Sequence, residues 1–205
     1  MADLYLASRS PRRRDLLKQI GVRFEPLITR LAAPRGPDVD ELQHASESPE
    51  RYVERVAREK AEFALKVLGM RSMLVRPVLS ADTVVILDGT ILGKPADAAE
   101  AAAFLHQLSG STHEVRTSTA VALAIGNKTK LAQRTSISSV KFKALTDDEI
   151  AHYVATGEPL DKAGGYGIQG YAGLFVERIE GSYTGVMGLP LYETAELLRQ
   201  VGIKV

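Results

Sequence analysis

Residues 4–14 read Leu-Tyr-Leu-Ala-Ser-Arg-Ser-Pro-Arg-Arg-Arg, an apolar run that passes at once into a basic turn punctuated by serine and proline. Residues 4–8 predict a buried strand. Ser10 followed by Pro11 predicts a helix start, with serine as N-cap and proline at the first helical position, where its missing N–H costs nothing. Arg12, Arg13 and Arg14 then fall in the first turn of a helix running to about Gly21. Cations at that end oppose the helix dipole, at about 0.3–1 kcal/mol each. Two readings fit: a receptor for a polyanion such as a phosphate chain, built from exposed amide N–H groups and three guanidiniums, or a solvated basic turn.

Strands and helices keep interleaving beyond this unit. A strand over residues 23–29 is followed by a Pro-, Gly- and Asp-rich stretch over 30–48, long enough to be a functional loop. Ser48-Pro49-Glu50 opens a helix ending near Gly69, and residues 77–87 form a buried strand that turns at Asp88-Gly89 into Ile91-Leu92. Asp97 starts an alanine-rich helix that stops at Gly110. Two long strands, 114–125 and 130–142, join at Gly126-Asn127, the first alternating Val115, Thr117, Thr119, Val121, Leu123 and Ile125 on one face. Thr146-Asp147-Asp148-Glu149 has the capping-box pattern for a short helix ending at Gly157. A glycine-rich loop, 164–173, leads to a strand over 174–179, and 190–201 is the last helix. Frequent hairpins among the helices point to an α/β fold with a mixed sheet rather than a doubly wound parallel one.

The chain's 205 residues suffice for one large domain or two intimately joined lobes with a substantial core. Its formal net charge of +1 excludes a broad basic field for non-specific nucleic-acid binding, so the basic clusters act locally. The absence of cysteine excludes disulfides, thiolate metal sites and cysteine nucleophiles. No run approaches the roughly 18 apolar residues of a membrane span, and the N-terminal residues lack signal-peptide character, so a cytoplasmic protein without a membrane partner is expected.

Three places carry candidate chemistry. In the helix after Ser48, Val53, Val56, Ala57, Ala61, Ala64, Val67 and Leu68 make one apolar stripe at about 100° per residue, and Lys60 sits within it. That lysine either snorkels to the edge of the core or meets an anion. Asp82 interrupts an apolar strand, either as a metal ligand or general base, or as a cap of the neighbouring loop. The Asp88-Gly89 hairpin can bring Lys94 back toward Asp82, as a plain salt bridge or as a phosphate clamp beside a metal ligand. Finally, residues 157–170 combine many glycines, which permit close backbone approach to a ligand, with Gln169, whose amide can pair with both donor and acceptor edges of a base; a flexible loop without a ligand is the alternative. No phosphate-loop or dinucleotide fingerprint, serine-hydrolase elbow or metal-ligand spacing of His44, His106, His113 and His152 occurs.

The stretches LASRSPRR, AREKA, SADT, GKP, EPLDKAGGYGIQG and GSYTGVMGLPL occur in this order over nearly the whole chain. In them the chain resembles the Maf-like nucleoside triphosphate pyrophosphatases. The resemblance implies an elongated mixed β-sheet with flanking helices and two lobes around a central cleft, related to the inosine triphosphate pyrophosphatases. It implies a single Maf-like domain over residues 1–205. Arg12, Thr83 and Gln169 stand where the branch acting on dTTP and UTP has them; the 7-methyl-GTP branch typically has tryptophan, glutamine and glutamate there. By the same resemblance Asp82 is the proton acceptor or metal ligand, and Ser8, Arg13, Lys60, Lys94 and Lys162 line the phosphate and active-site region.

The expected reaction is hydrolysis of dTTP and UTP to the monophosphate and pyrophosphate, with Mg²⁺ or Mn²⁺ as the cofactor, since the available ligands are hard oxygens. Surplus or non-canonical pyrimidine nucleotides would be cleared. The family also suggests a homodimer, and its older description as a septum-formation inhibitor supplies the competing reading, a non-catalytic nucleotide-sensing regulator of cell division. One departure stands out. Many members carry a glutamate shortly after the second strand, but here that stretch reads Leu31-Ala32-Ala33-Pro34, and acidic residues arrive only at Asp38, Asp40 and Glu41.

Overall fold

The opening stretch folds as its sequence indicates, with shorter elements. The computed structural model describes residues 2–28 and 39–205, so the end of the second expected strand, most of the loop after it, Leu31–Pro34 and Asp38 lie outside the described residues. Strand β1 is Leu4–Leu6, helix α1 Pro11–Gln19 and strand β2 Phe24–Pro26. Pro11 begins α1 as expected, but the Ser10 side chain makes no capping bond. Instead the Ser10 N–H donates to Ser8 Oγ at 3.2 Å, so the accepting serine lies two residues earlier than the N-cap reading placed it.

Helix α2 (Pro49–Met70) is capped by Ser48, whose side chain accepts from the Arg51 N–H. Strand β3 (Val78–Leu87) turns at Asp88 and Gly89, both at positive φ, into β4 (Thr90–Leu92). Helix α3 (Ala98–Leu108), capped by Asp97, precedes the long strands β5 (Thr112–Ile125) and β6 (Lys128–Phe142). The capping box of α4 (Asp147–Ala155) forms in full. Strand β7 (Val176–Glu180), helix α5 (Tyr183–Met187) and helix α6 (Leu191–Gln200) complete the chain. Among the described residues seven strands form one mixed sheet in the order β2-β1-β3-β5-β6-β7, with β4 paired to β3. β1 lies parallel to both β2 and β3, which α1 and α2 make feasible as crossovers, while β4 and β7 pair antiparallel.

The chain divides into two compact units, with β3, β5 and β6 each passing from one into the other. The first comprises Met1–Asp82, Thr117–Thr135 and Gly188–Val205. Its core joins Tyr5 and Val78 of the sheet to Ala64, Val67 and Leu68 of α2, and the apolar stripe of α2 is buried throughout. Here β5 departs from its expected one-face alternation: residues 117–122 are all buried, because the strand is interior to the sheet and covered on both faces, with Ala120 and Ala122 packed against Ala61.

The second unit comprises Thr83–Arg116 and Ser136–Met187. Its core gathers Val85, Leu105, Phe142, Tyr153, Tyr166 and Phe175. The stretch expected as an open glycine loop is a series of 3-10 turns, Glu158–Asp161, Ala163–Gly165 and Tyr171–Phe175, and the following strand starts two residues later than expected. Burial of Phe175, whose carbonyl accepts the Lys143 N–H at 2.9 Å, claims those residues for the turn. Helix α5 had no signal in the sequence, being shorter than two helical turns.

Candidate active site

Two of the short motifs interlock in the first unit. Ser80 and Asp82 are two residues apart on β3 and therefore face the same side; Ala57 and Lys60 are three apart on α2 and share a helix face. The buried Ser80 hydroxyl donates to the Ala57 carbonyl at 2.6 Å, and one turn further along α2 the Lys60 ammonium donates to Asp82 Oδ1 at 2.9 Å. The AREKA and SADT segments thus form a double contact that sets Asp82 in place. Only 13% of the Asp82 side chain and 21% of that of Lys60 is exposed, so the pair is largely withdrawn from water. Of the two readings of Lys60 the structure shows the meeting with an anion: it holds the Asp82 carboxylate from within the same unit.

A second carboxylate reaches the same ammonium. Glu41 Oε1 lies 3.1 Å from Lys60 Nζ. Of Asp40 and Glu41, the described acidic residues after the Leu31–Pro34 stretch, Glu41 is the one that faces Asp82's cation. Asp40 is engaged elsewhere, accepting from the Leu42 N–H at 3.0 Å and bonded to the His44 ring at 3.1 Å. The segment carrying Glu41 is tied down by α2. The Tyr52 hydroxyl donates to the Glu41 carbonyl at 2.8 Å, and Arg55 donates to the carbonyls of Asp40 and Leu42, each at 2.8 Å. Arg55 also forms a two-point pair with Glu47, at 2.7 and 2.9 Å. These bonds from Arg55 hold the Glu47 carboxyl at about 2, well under the carboxylate range. Burial, reinforced by the Asp82 and Glu41 carboxylates, pushes the Tyr52 hydroxyl up to about 12, so it remains a donor.

Arg13 turns inward from the first turn of α1. Its Nε donates to the Gly188 carbonyl at 2.7 Å, and its Nη1 donates to the Ala81 carbonyl at 2.6 Å and to Ser8 Oγ at 3.3 Å. One guanidinium thereby joins the end of β1, the residue before Asp82 and the chain entering α6. Burial lowers its pKa from the ordinary arginine value; Asp82 opposes that shift, Arg12 adds to it and Glu41 opposes it. Arg14 goes another way, donating to the Arg9 carbonyl at the surface. The arginine run is therefore not three parallel guanidiniums: Arg13 is turned into the structure, and Arg12 is half-buried beside it.

The remaining expected residues belong to the second unit. Thr83 follows Asp82 directly on β3 and is half-buried. Lys94 is exposed, two residues past the last β3–β4 pair, Val85↔Leu92, where the Gly93 carbonyl accepts the Gly164 N–H at 2.9 Å. Lys162 is 9% exposed, and its ammonium donates to Asp161 Oδ1 at 2.6 Å and to the Glu158 carbonyl. Its stem lies against the Cα of Gly167, where an added Cβ would come within 2.7 Å of Lys162 Cε and 3.2 Å of Gln169 Nε2. Lys162 and Gln169 are thus neighbours across a glycine, with Gln169 itself exposed.

Glu41 was among the acidic residues that the sequence singled out after Leu31–Pro34; Tyr52, Arg55 and Glu47 escaped sequence reasoning. Their available signal was the common stripe of α2 that carries Tyr52, Arg55 and Glu59, a polar counterpart to the apolar one. Asp82 and Glu41 converge on a single positive charge as oxygen donors, and among the described residues there is no group of three His, Asp or Glu side chains placed to hold a metal ion. That donor set suits Mg²⁺ or Mn²⁺ carried on a phosphate chain, which is held through one or two carboxylates, rather than an all-protein metal cage.

The family model described as Maf-like protein matches residues 3–201. A dTTP/UTP pyrophosphatase from Aromatoleum aromaticum is 61% identical over 98% of this chain and 96% of its own length. Proteins of the same description from Dechloromonas aromatica and Cupriavidus pinatubonensis are 52% and 53% identical, each over 98% of both chains.

Proposed function

Because the chain belongs to the Maf-like protein family, we propose that it is a nucleoside triphosphate pyrophosphatase that hydrolyses dTTP and UTP to the nucleoside monophosphate and pyrophosphate. The observation that carries this reading is its full-length likeness to dTTP/UTP pyrophosphatases; the Lys60–Asp82–Glu41 constellation gives that likeness a chemical basis.

In the proposed reaction a water molecule attacks the α-phosphorus, Asp82 takes the proton, and the bond from the α-phosphorus to the bridging oxygen breaks as pyrophosphate leaves. Lys60 orients the Asp82 carboxylate, and Arg13 holds the strand at Ala81 so that Asp82 does not drift. Asp82 and Glu41 would hold Mg²⁺ or Mn²⁺, which when bound supplies neutralising charge to the phosphates. Ser8, Lys94 and Lys162 are assigned to the phosphate and active-site region, and Arg12, Thr83 and Gln169 to the choice of base, by their positions in the family motifs. Among the described residues no helix is long and apolar enough to cross a membrane, and a cytoplasmic setting suits a nucleotide-clearing enzyme.

The test is product analysis after incubation with dTTP and Mg²⁺. dTMP and pyrophosphate are expected, without dTDP. Accumulation of dTDP with inorganic phosphate overturns the reading, and binding of dTTP without turnover identifies a nucleotide sensor instead.

A further inference from the structure

Gln169 occupies a defined turn rather than a loose loop. The Gly170 N–H donates to the Gly167 carbonyl at 2.9 Å, closing a four-residue turn whose central residues are Ile168 and Gln169. Ile168 is buried in the core of the second unit, and Gln169 projects from the other central position to solvent. Both ends of this turn are tied to one pair of side chains. On the entry side the Gly167 N–H donates to the Tyr153 hydroxyl oxygen at 3.3 Å. That hydroxyl in turn donates to Glu158 Oε1 at 3.1 Å, and the other carboxylate oxygen, Oε2, accepts the Tyr171 N–H at 3.2 Å, just past the exit of the turn.

The glycines make this clamp feasible. A Cβ at Gly170 would lie 2.2 Å from Glu158 Oε1, so any other residue there displaces the carboxylate. Burial and the neighbouring Glu158 carboxylate raise the Tyr153 hydroxyl above its ordinary pKa, which keeps it a donor at neutral pH. The Tyr153 ring is fully buried, edge-on to Phe175 at 5.3 Å, so the hydroxyl is presented from a rigid platform.

We propose that Tyr153 and Glu158 are specificity-positioning residues: the relay from Gly167 N–H through the Tyr153 hydroxyl and Glu158 carboxylate to Tyr171 N–H fixes the turn that presents Gln169 to the pyrimidine base. This rests on the reading of the protein as a dTTP/UTP pyrophosphatase with Gln169 at the base. A loosened turn lets the Gln169 amide miss a pyrimidine edge without touching the groups that break the phosphoanhydride. Discrimination should therefore suffer before turnover does.

Tyr153→Phe removes one oxygen and both its bonds while keeping the ring packing. Glu158→Ala removes the carboxylate, and Glu158→Gln keeps one acceptor. Amide exchange at Gly167 and Tyr171, followed by NMR, is expected to quicken in Tyr153→Phe and Glu158→Ala. The ratio of kcat/KM for dTTP over GTP is expected to fall about tenfold or more, through KM for dTTP, with kcat nearly unchanged and Glu158→Gln intermediate. Faster exchange with an unchanged ratio overturns the specificity role and leaves a structural one; unchanged exchange overturns the clamp itself. If Tyr153→Phe does not fold, the two Glu158 variants decide the same points. Wild-type protein that releases no pyrophosphate from dTTP or UTP refutes the proposed activity and the specificity role with it, while the exchange measurements still decide the clamp.

Discussion

Lys60 on α2 donates to Asp82 on β3 at 2.9 Å, joining positions 22 residues apart in a largely dehydrated pair. The apolar stripe around Lys60 taken alone would make Lys60→Met neutral or stabilising. The pairing reverses that sign, because methionine leaves a mostly buried carboxylate without its cation. Lys60→Met is expected to cost about 1–3 kcal/mol, and adding Asp82→Asn should recover most of it. Urea midpoints for the two single variants and the double variant form the cycle. A midpoint that does not fall in Lys60→Met would mean that Lys60 does not compensate Asp82.

Asp82→Asn alone keeps the shape of the side chain and removes its charge. Turnover is expected to drop by at least about 10²-fold, with the circular dichroism spectrum unchanged. Near-normal rates at saturating Mg²⁺ would reduce Asp82 to a structural role.

Glu41 and Asp40 are adjacent in sequence but differently engaged, one at Lys60 and the other at His44 and the Leu42 N–H. Glu41→Gln is expected to move the Mg²⁺ activation curve to higher concentration, whereas Asp40→Asn leaves it in place. Rate measured against Mg²⁺ concentration separates them; equal shifts in both variants would show that the whole segment, not the Glu41 carboxylate, matters.

Base choice should follow the three branch positions. Arg12→Trp, Thr83→Gln and Gln169→Glu together are expected to lower dTTP and UTP turnover and raise that of 7-methyl-GTP, since a cationic purine favours an aromatic face and a carboxylate. The readout is the ratio of kcat/KM values. A folded, active triple variant with an unchanged ratio would remove these residues from base recognition.

His113 gives the fold an acid-side dependence. It is buried, its Nε2 is 2.8 Å from the Tyr166 hydroxyl, its Nδ1 has no partner among the described residues, and burial pulls its pKa down to about 4. The unfolded chain takes up a proton near the ordinary value of about 6.5, while the folded one stays neutral until about 4. Stability is therefore complete above the higher value and declines as pH falls between the two. Denaturant midpoints from pH 7 to 4 should fall less steeply in His113→Gln than in the wild type. Parallel curves would show that His113 does not titrate differently on folding.

Local chemistry made much of this protein legible in its sequence. Ser48-Pro49, Asp97 and Thr146 with Glu149 mark helix starts because a cap is satisfied within a few residues, and all three form. The stripe of α2 and the Asp88-Gly89 turn are equally local, and six ordered motifs were enough to suggest the family. Ser10 was the exception among the caps: the nearby Ser8 hydroxyl took the bond from its backbone instead.

Tertiary structure decided what depends on distant partners. One-face alternation on β5 failed because strand order placed its middle between neighbours with both faces covered, which spacing along a strand cannot encode. Glu41 is held beside Lys60 with help from Tyr52 and Arg55, whose side chains gather a segment with no periodicity of its own. The glycine-rich stretch showed where a backbone could approach closely, but its shape came from Tyr153, Glu158 and Lys162 filling the space the glycines leave. Caps and stripes are contacts over a few residues and can be read in order along the chain. A carboxylate's partner is whichever charge the fold carries to it, and that is settled only when the elements pack.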